Sequence, residues 1–160
     1  MNIMTSTPET VSTIDLERIA DNTATSCIAT RVRQLSRIVT RVYDDAMRPL
    51  GITASQFTLL TQLAARDGIT AVEIGGGLDI EKSTLSRNLK RMLALGLIAM
   101  DPPAGRRGRG LHLTPKGQAV IKDAYPIWLT AQERAVRVLG PQSRVTLDGL
   151  VENAERLASA

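Results

Sequence analysis

Cysteine, histidine and aromatic residues are nearly missing from this chain of 160 residues, and each shortage closes off a class of function. The lone cysteine, Cys27, excludes an internal disulfide framework and fits a reducing compartment. With one histidine, His112, beside that one cysteine, a structural zinc site lacks ligands, so no metal or cofactor is expected. His112 alternates with Leu111 and Leu113, and the chain around it arranges no nucleophile or acid. An enzyme is therefore the weakest reading, and no catalytic residue is nominated. The aromatics Tyr43, Phe57, Tyr125 and Trp128 are too few to stack successive bases, which argues against a single-strand binder. No apolar run approaches the ~18 residues of a membrane span. The opening "MNIMTSTPETVST" lacks both the cationic start and the apolar run of a signal peptide. These readings lead to the expectation of a cytoplasmic protein without membrane contact, whose residues 1–22 form a disordered or partly ordered arm.

What the chain does have is helix formers and a cluster of positive charge. Hydrophobic residues make up 43%, enough for a core, and Ala, Leu and Arg favour helix. The net charge of +4 is unevenly spread. Between Lys82 and Lys116 stand Lys82, Arg87, Lys90, Arg91, Arg106, Arg107, Arg109 and Lys116, with only Asp101 among them and Glu81 beside them. A basic segment on a near-neutral body is the footprint of a polyanion binder.

From Ser26 to Arg48 the residues Ile28, Val32, Leu35, Val39, Val42 and Ala46 recur at helical spacing, with Arg31, Arg33, Arg37 and Arg41 largely off the stripe. Such a helix spans roughly 30 Å, longer than a small core can cover. The run "ITASQFTLLTQLAARDG" predicts a second helix, with Thr53 or Ser55 as N-cap and Gly68 as its stop. "TAVE", Thr70 to Glu73, has capping-box spacing and opens a short third helix. That helix carries Gly75, Gly76 and Gly77, for which close packing against a neighbour and a hinge are both open readings. After "LDI", the run "EKSTLSRNLKRMLALGLI" returns to helical spacing, with Leu85, Leu89, Met92 and Leu93 on one side and Gly96 closing it. Two short helices with a tight turn make a helix-turn-helix.

Next come two strand-like runs, "LIAMD" and "GLHLT", joined by the Gly- and Arg-rich "PPAGRRGRG". Only about ten residues separate the strands, so the arginine-rich stretch reads as the loop of a two-stranded wing rather than a free tail. Thr114 and Pro115 then cap a helix running to Leu139, with a kink expected at Pro126 and a break at Gly140 and Pro141. A last amphipathic helix carries Val145, Leu147, Leu150, Val151, Ala154 and Leu157. The expected fold is mainly α with a small β-hairpin. Long terminal helices at 23–50 and 115–160 would flank a winged helix-turn-helix core at 51–114. The terminal apolar stripes exceed what such a core can cover, and an intertwined partner would bury them.

The ordered set "LGITASQFTLL", "STLSRNLKRMLALGLI", the wing and "LHLTPKG" resembles the MarR-type (multiple antibiotic resistance regulator) transcription factors, over roughly Cys27 to Leu157. The resemblance implies homodimers whose first and last helices interdigitate, binding to double-stranded DNA, and release by a small effector or an oxidant. Repression is the commoner mode in that family. On this reading the helix from Glu81 lies in the major groove, with Lys82, Ser83, Thr84, Ser86 and Arg87 at base edges and Asn88, Lys90 and Arg91 at phosphates. Arg107 matches the family's wing-tip arginine in the minor groove. Gly105 stands where many relatives carry an orienting aspartate, so Arg106 or Arg109 would share the task.

Two triggers are weighed. One branch of the family senses hydroperoxides through a cysteine in the first long helix. Tyr43 matches a tyrosine of that branch, but Cys27 falls two residues early and Ala54 replaces a second tyrosine; a small buried apolar residue is the plainer role for Cys27. The other trigger is a small effector in a pocket walled by Tyr43, Phe57, Tyr125 and Trp128, although ordinary core is the plainer role for each. The rival to a sequence-specific regulator is a nonspecific nucleoid or RNA-binding protein, which basic charge alone would support.

Overall fold

The computed structural model describes residues 16–78, 80–102 and 108–159. It divides into two units, one ending at Ile38 and the other beginning at Val39. The first unit holds α1 (Leu16–Ser26) and the opening turns of α2 (Ile28–Met47). Helical hydrogen bonding carries over the junction, with the Cys27 N–H on the Thr23 carbonyl and the Arg31 N–H on the Cys27 carbonyl, both at 3.3 Å. The described part of the expected N-terminal arm, from Leu16, is therefore helical. No residue of α1 is buried.

The second unit is the winged helix. After α2, a short 3-10 turn at Arg48–Leu50 ends on Gly51, whose φ of +69° lets the chain reverse. Helix α3 (Ala54–Ala65) starts on a reciprocal capping box, in which Thr53 and Gln56 each accept the other's backbone N–H. The bond also gives the side-chain oxygen of the buried Gln56 a partner. Asp44 of α2 accepts the Ala54 N–H at 2.8 Å and ties the two helices. The chain then forms β1 (Ile69–Thr70) and α4 (Ala71–Leu78), with Glu73 accepting from the Thr70 backbone and hydroxyl at 2.8 and 2.7 Å.

Helix α5 (Lys82–Ala94) follows, then β2 (Ile98–Met100) and β3 (Gly110–Leu113). The sheet is three-stranded and antiparallel in the order β1-β3-β2, so the expected two-stranded hairpin gains a strand. Ile69 pairs with Leu111, and Ile98 with Leu113. The extra strand is two residues long and has no alternation to read.

The glycine triplet divides by position. A Cβ on Gly75 would meet Leu85 Cδ2 at 3.3 Å, so α4 and α5 pack closely there, whereas Gly76 and Gly77 face open space. The core joins Leu59, Leu60 and Leu63 of α3 to Ile74, Leu85, Leu89, Met92, Leu111 and Ala124.

Helix α6 (Pro115–Leu139) begins on Thr114, whose hydroxyl accepts the Gly117 N–H at 3.0 Å. Its first turn is fastened to the end of α5. The Thr114 hydroxyl donates to the Gly96 carbonyl at 2.7 Å, and Lys116 Nζ donates to the Leu95 carbonyl at 2.8 Å. A Cβ on Gly117 would lie 2.1 Å from the Leu97 carbonyl oxygen, so only glycine permits this crossing. The helix is continuous through Pro126, which lies on its exposed side where water can serve the unpaired carbonyl a turn earlier. Gly140 closes it, and α7 (Ser143–Ser159) follows with no buried residue. Among the described residues, no helix is long and apolar enough to cross a membrane.

Candidate nucleic-acid interface

The apolar positions of α5 decide which side chains face outward. Leu85, Leu89 and Met92 are buried, and the 3.6-residue period then turns Lys82, Ser83, Ser86, Arg87, Lys90 and Arg91 to solvent. Thr84 and Asn88, at the margin, are half-buried. All eight helix residues expected to meet DNA therefore lie on or beside one exposed face.

Its first turn is tightly organised. Glu81 is the N-cap: its carboxylate accepts the Thr84 N–H at 3.0 Å and the Ser83 hydroxyl. The Ser83 hydroxyl, then the backbone N–H groups of Ser83 and Thr84, hold the Glu81 carboxyl down at about 2. Arg87 lies back along the same turn, with Nε on the Ser83 carbonyl at 3.3 Å and Nη2 on the Thr84 hydroxyl at 3.1 Å. Sequence reasoning placed Glu81 beside the basic cluster but missed that it organises Ser83, Thr84 and Arg87; the Glu-x-x-Thr spacing before an apolar stripe was the available signal.

On the wing, Arg106 and Arg107, like Gly105, lie outside the described residues. Arg109 is described and exposed, and its Nε donates to the Asp101 carbonyl. The Asp101 N–H donates to the Gly110 carbonyl at 2.9 Å, which extends the β2–β3 pairing by one position.

The expectation that no acid stands beside His112 is corrected. Nδ1 lies 3.0 Å from Asp67 Oδ1 and Nε2 lies 3.0 Å from Asp101 Oδ1. The hydrogen bond to Asp67 raises the imidazole pKa above its ordinary value, with Asp101 adding to it and partial desolvation opposing. Those carboxylates stand 45 and 11 residues away in the chain, and without β1 the sequence offers nothing to bring Asp67 to the ring.

The remaining candidates fall in two places. Cys27 sits half-buried at the α1–α2 junction, its thiol pKa lowered chiefly by the Thr30 side-chain hydrogen bond. In the second unit Phe57, Trp128 and Tyr125 form one aromatic row, with ring centroids 6.5 and 6.1 Å apart. Phe57 belongs to the core, while Tyr125 is exposed. Tyr43 stands apart from the row: its hydroxyl donates to Gln132 Oε1 at 2.5 Å, and burial raises its pKa. A cavity of about 440 Å³ between α2 and α6 is lined by Val42, Asp45, Ala46, Ile127, Thr130, Ala131 and Arg134 rather than by these aromatics.

Comparison with known proteins bears on this geometry. Residues 50–108 match the model of the MarR family. The multiple antibiotic resistance protein MarR of Salmonella typhimurium is 35% identical over 86 residues, which are 53% of this chain and 60% of that protein. The chain thus matches less than two thirds of that relative's length. An HTH-type transcriptional repressor of Mycobacterium tuberculosis is 28% identical over 102 residues, 62% of this chain and 73% of the relative. The crystal structure of the M. tuberculosis transcriptional regulator MosR superposes with a TM-score of 0.73 at 32% identity, covering 82% of this chain and 98% of that one. MosR in complex with DNA gives 0.71 at 31% identity over the same shares.

Proposed function

Because the chain belongs to the MarR family of transcriptional regulators, we propose that it acts as a homodimeric repressor of a pseudo-palindromic operator and is released by a small effector or an oxidant. The observation that carries this reading is the outward face of α5, where six exposed side chains, four of them cationic, surround an N-terminal turn already held by hydrogen bonds. Lys82, Ser83, Thr84, Ser86 and Arg87 read base edges, Arg87 by a bidentate grip on guanine. Asn88, Lys90 and Arg91 meet phosphates and set the register. Arg106, Arg107 and Arg109 enter the neighbouring minor groove. MosR, similar along nearly its whole length, has been crystallised with DNA, which supports this use of the fold.

Dimerisation is supported by apolar surface that each unit leaves open: Leu16, Ile28 and Val32 in the first, and Val145, Leu150 and Leu157 in the second. A partner copy would cover them. Selection of bound duplexes from a random library, followed by footprinting, tests the proposal. It predicts a symmetric footprint over an inverted repeat whose half-sites are about one helical turn apart. Equal competition by random duplex would instead favour a nonspecific nucleoid protein and end the proposal.

A further inference from the structure

The wing is held at its root by a group that the DNA-reading face does not include. His112 occupies the middle of β3, and both of its ring nitrogens lie 3.0 Å from a carboxylate oxygen. A neutral imidazole has one N–H and one lone pair, so it can donate to only one of the two; the doubly protonated ring donates to both. The site is built for that arrangement. A Cβ on Gly110 would lie 2.5 Å from Asp101 Oδ2, so glycine there lets the carboxylate lie across β3 toward the ring. Gly68, at φ +73°, turns the chain beside the ring's Cε1. Asp101 is also where β2 leaves the sheet for the wing loop, and its carbonyl holds Arg109.

We propose that His112 is a positioning residue for the wing root: its imidazolium ties Asp101, where β2 ends, to Asp67, in the turn before β1, and so sets Asp101 and the Arg109 that its carbonyl holds for DNA. The inference rests on the DNA-binding reading above. The charges around the ring come from three directions. Asp67 faces it from the α3–β1 turn and Asp101 from the end of β2, while Lys122 of α6 lines the same cleft of about 560 Å³. Arg109 is engaged by the Asp101 carbonyl, and Glu73 of α4 by Thr70 and Arg66. Partial desolvation opposes the second proton, and the two carboxylates in direct contact favour it.

Because the fold raises the imidazole pKa, the clamp is closed at and below the ordinary range near 6.5 and opens as pH climbs through the higher folded value. DNA affinity should follow it.

His112 is the only histidine, so its ring resonances report the clamp without ambiguity. The free protein's ring should titrate above the ordinary histidine value, and Asp67→Asn or Asp101→Asn should bring it down. In parallel, anisotropy on the selected inverted-repeat duplex at constant ionic strength should show affinity falling about three- to tenfold between about pH 6 and pH 9, within the tenfold per pH unit that one coupled proton allows. His112→Gln should bind more weakly at the acid end, lose that pH dependence and converge with wild type at the alkaline end. Every other titrating group is common to both proteins, so the difference between the two profiles isolates the ring. Identical profiles for wild type and His112→Gln, or a ring titrating at or below the ordinary value, overturn the clamp while leaving the DNA reading intact. A wild-type protein with no preference for any inverted repeat overturns the DNA reading and, with it, the clamp's role; a raised ring titration would still record the bridge itself.

Discussion

Leu60 in α3 and Leu150 in α7 are the same side chain in opposite circumstances, 0% and 59% exposed. Around Leu60 the winged helix closes a core from α3, α4, α5 and β3. Helices α1 and α7 bury no residue at all, although apolar positions recur along both. Leaving a leucine in water instead of a core forgoes about 1.5–3 kcal/mol, so the first region is finished within one chain and the terminal helices are not. The winged helix is thus finished within one chain, and on the proposed reading the open apolar faces of α1 and α7 are what a second copy would cover.

Five substitutions would break or sharpen that contrast. Leu60→Ala should cost 2–5 kcal/mol of stability, by analogy with buried leucines of other cores, and urea unfolding should show the same loss at every protein concentration. Its counterpart, Leu150→Glu, should instead shift sedimentation toward monomer and make the unfolding midpoint depend on dilution; a dilution-independent loss would mean that α7 packs within its own chain. Arg87→Ala should leave unfolding unchanged and cost about 1–3 kcal/mol of discrimination between the selected duplex and random DNA. Equal loss on both duplexes would assign Arg87 to phosphate contact. Thr53→Ala removes one half of the α3 capping box and should cost about 1 kcal/mol in thermal unfolding. The smallest effect is a gain: Gly76→Ala meets no neighbour and should stabilise α4 by up to about 1 kcal/mol.

Local chemistry made much of this fold readable beforehand. Thr53, Thr70 and Thr114 each announce a helix because a hydroxyl three residues ahead of a free N–H is a self-contained device. The leucine spacing of α5 likewise dictates its outward face. What could not be read depends on distant partners. β1 exists only because Leu111 and Gly110 come alongside Ile69 and Thr70. The bridge over His112 requires that same strand to bring Asp67 to the ring, so an isolated histidine between two leucines gave no hint of it. Helix α1 escaped notice because its polar residues outnumber its few apolar ones, and a short polar segment reads as coil.

The fastening of α6 to the end of α5, through Thr114, Lys116 and the bare backbone of Gly117, joins a rod to a tool. By its 25 residues α6 is ~37 Å long, so a tilt of ~5° pivoting on that joint displaces its far end by ~3 Å. The same geometry works in reverse: a ~3 Å push at the distal end is geared down to a small rotation where α5 ends. On the proposed reading, shape changes at the far end of α6 would then reach α5 as pitch, with no need for a loop to unfold along the way.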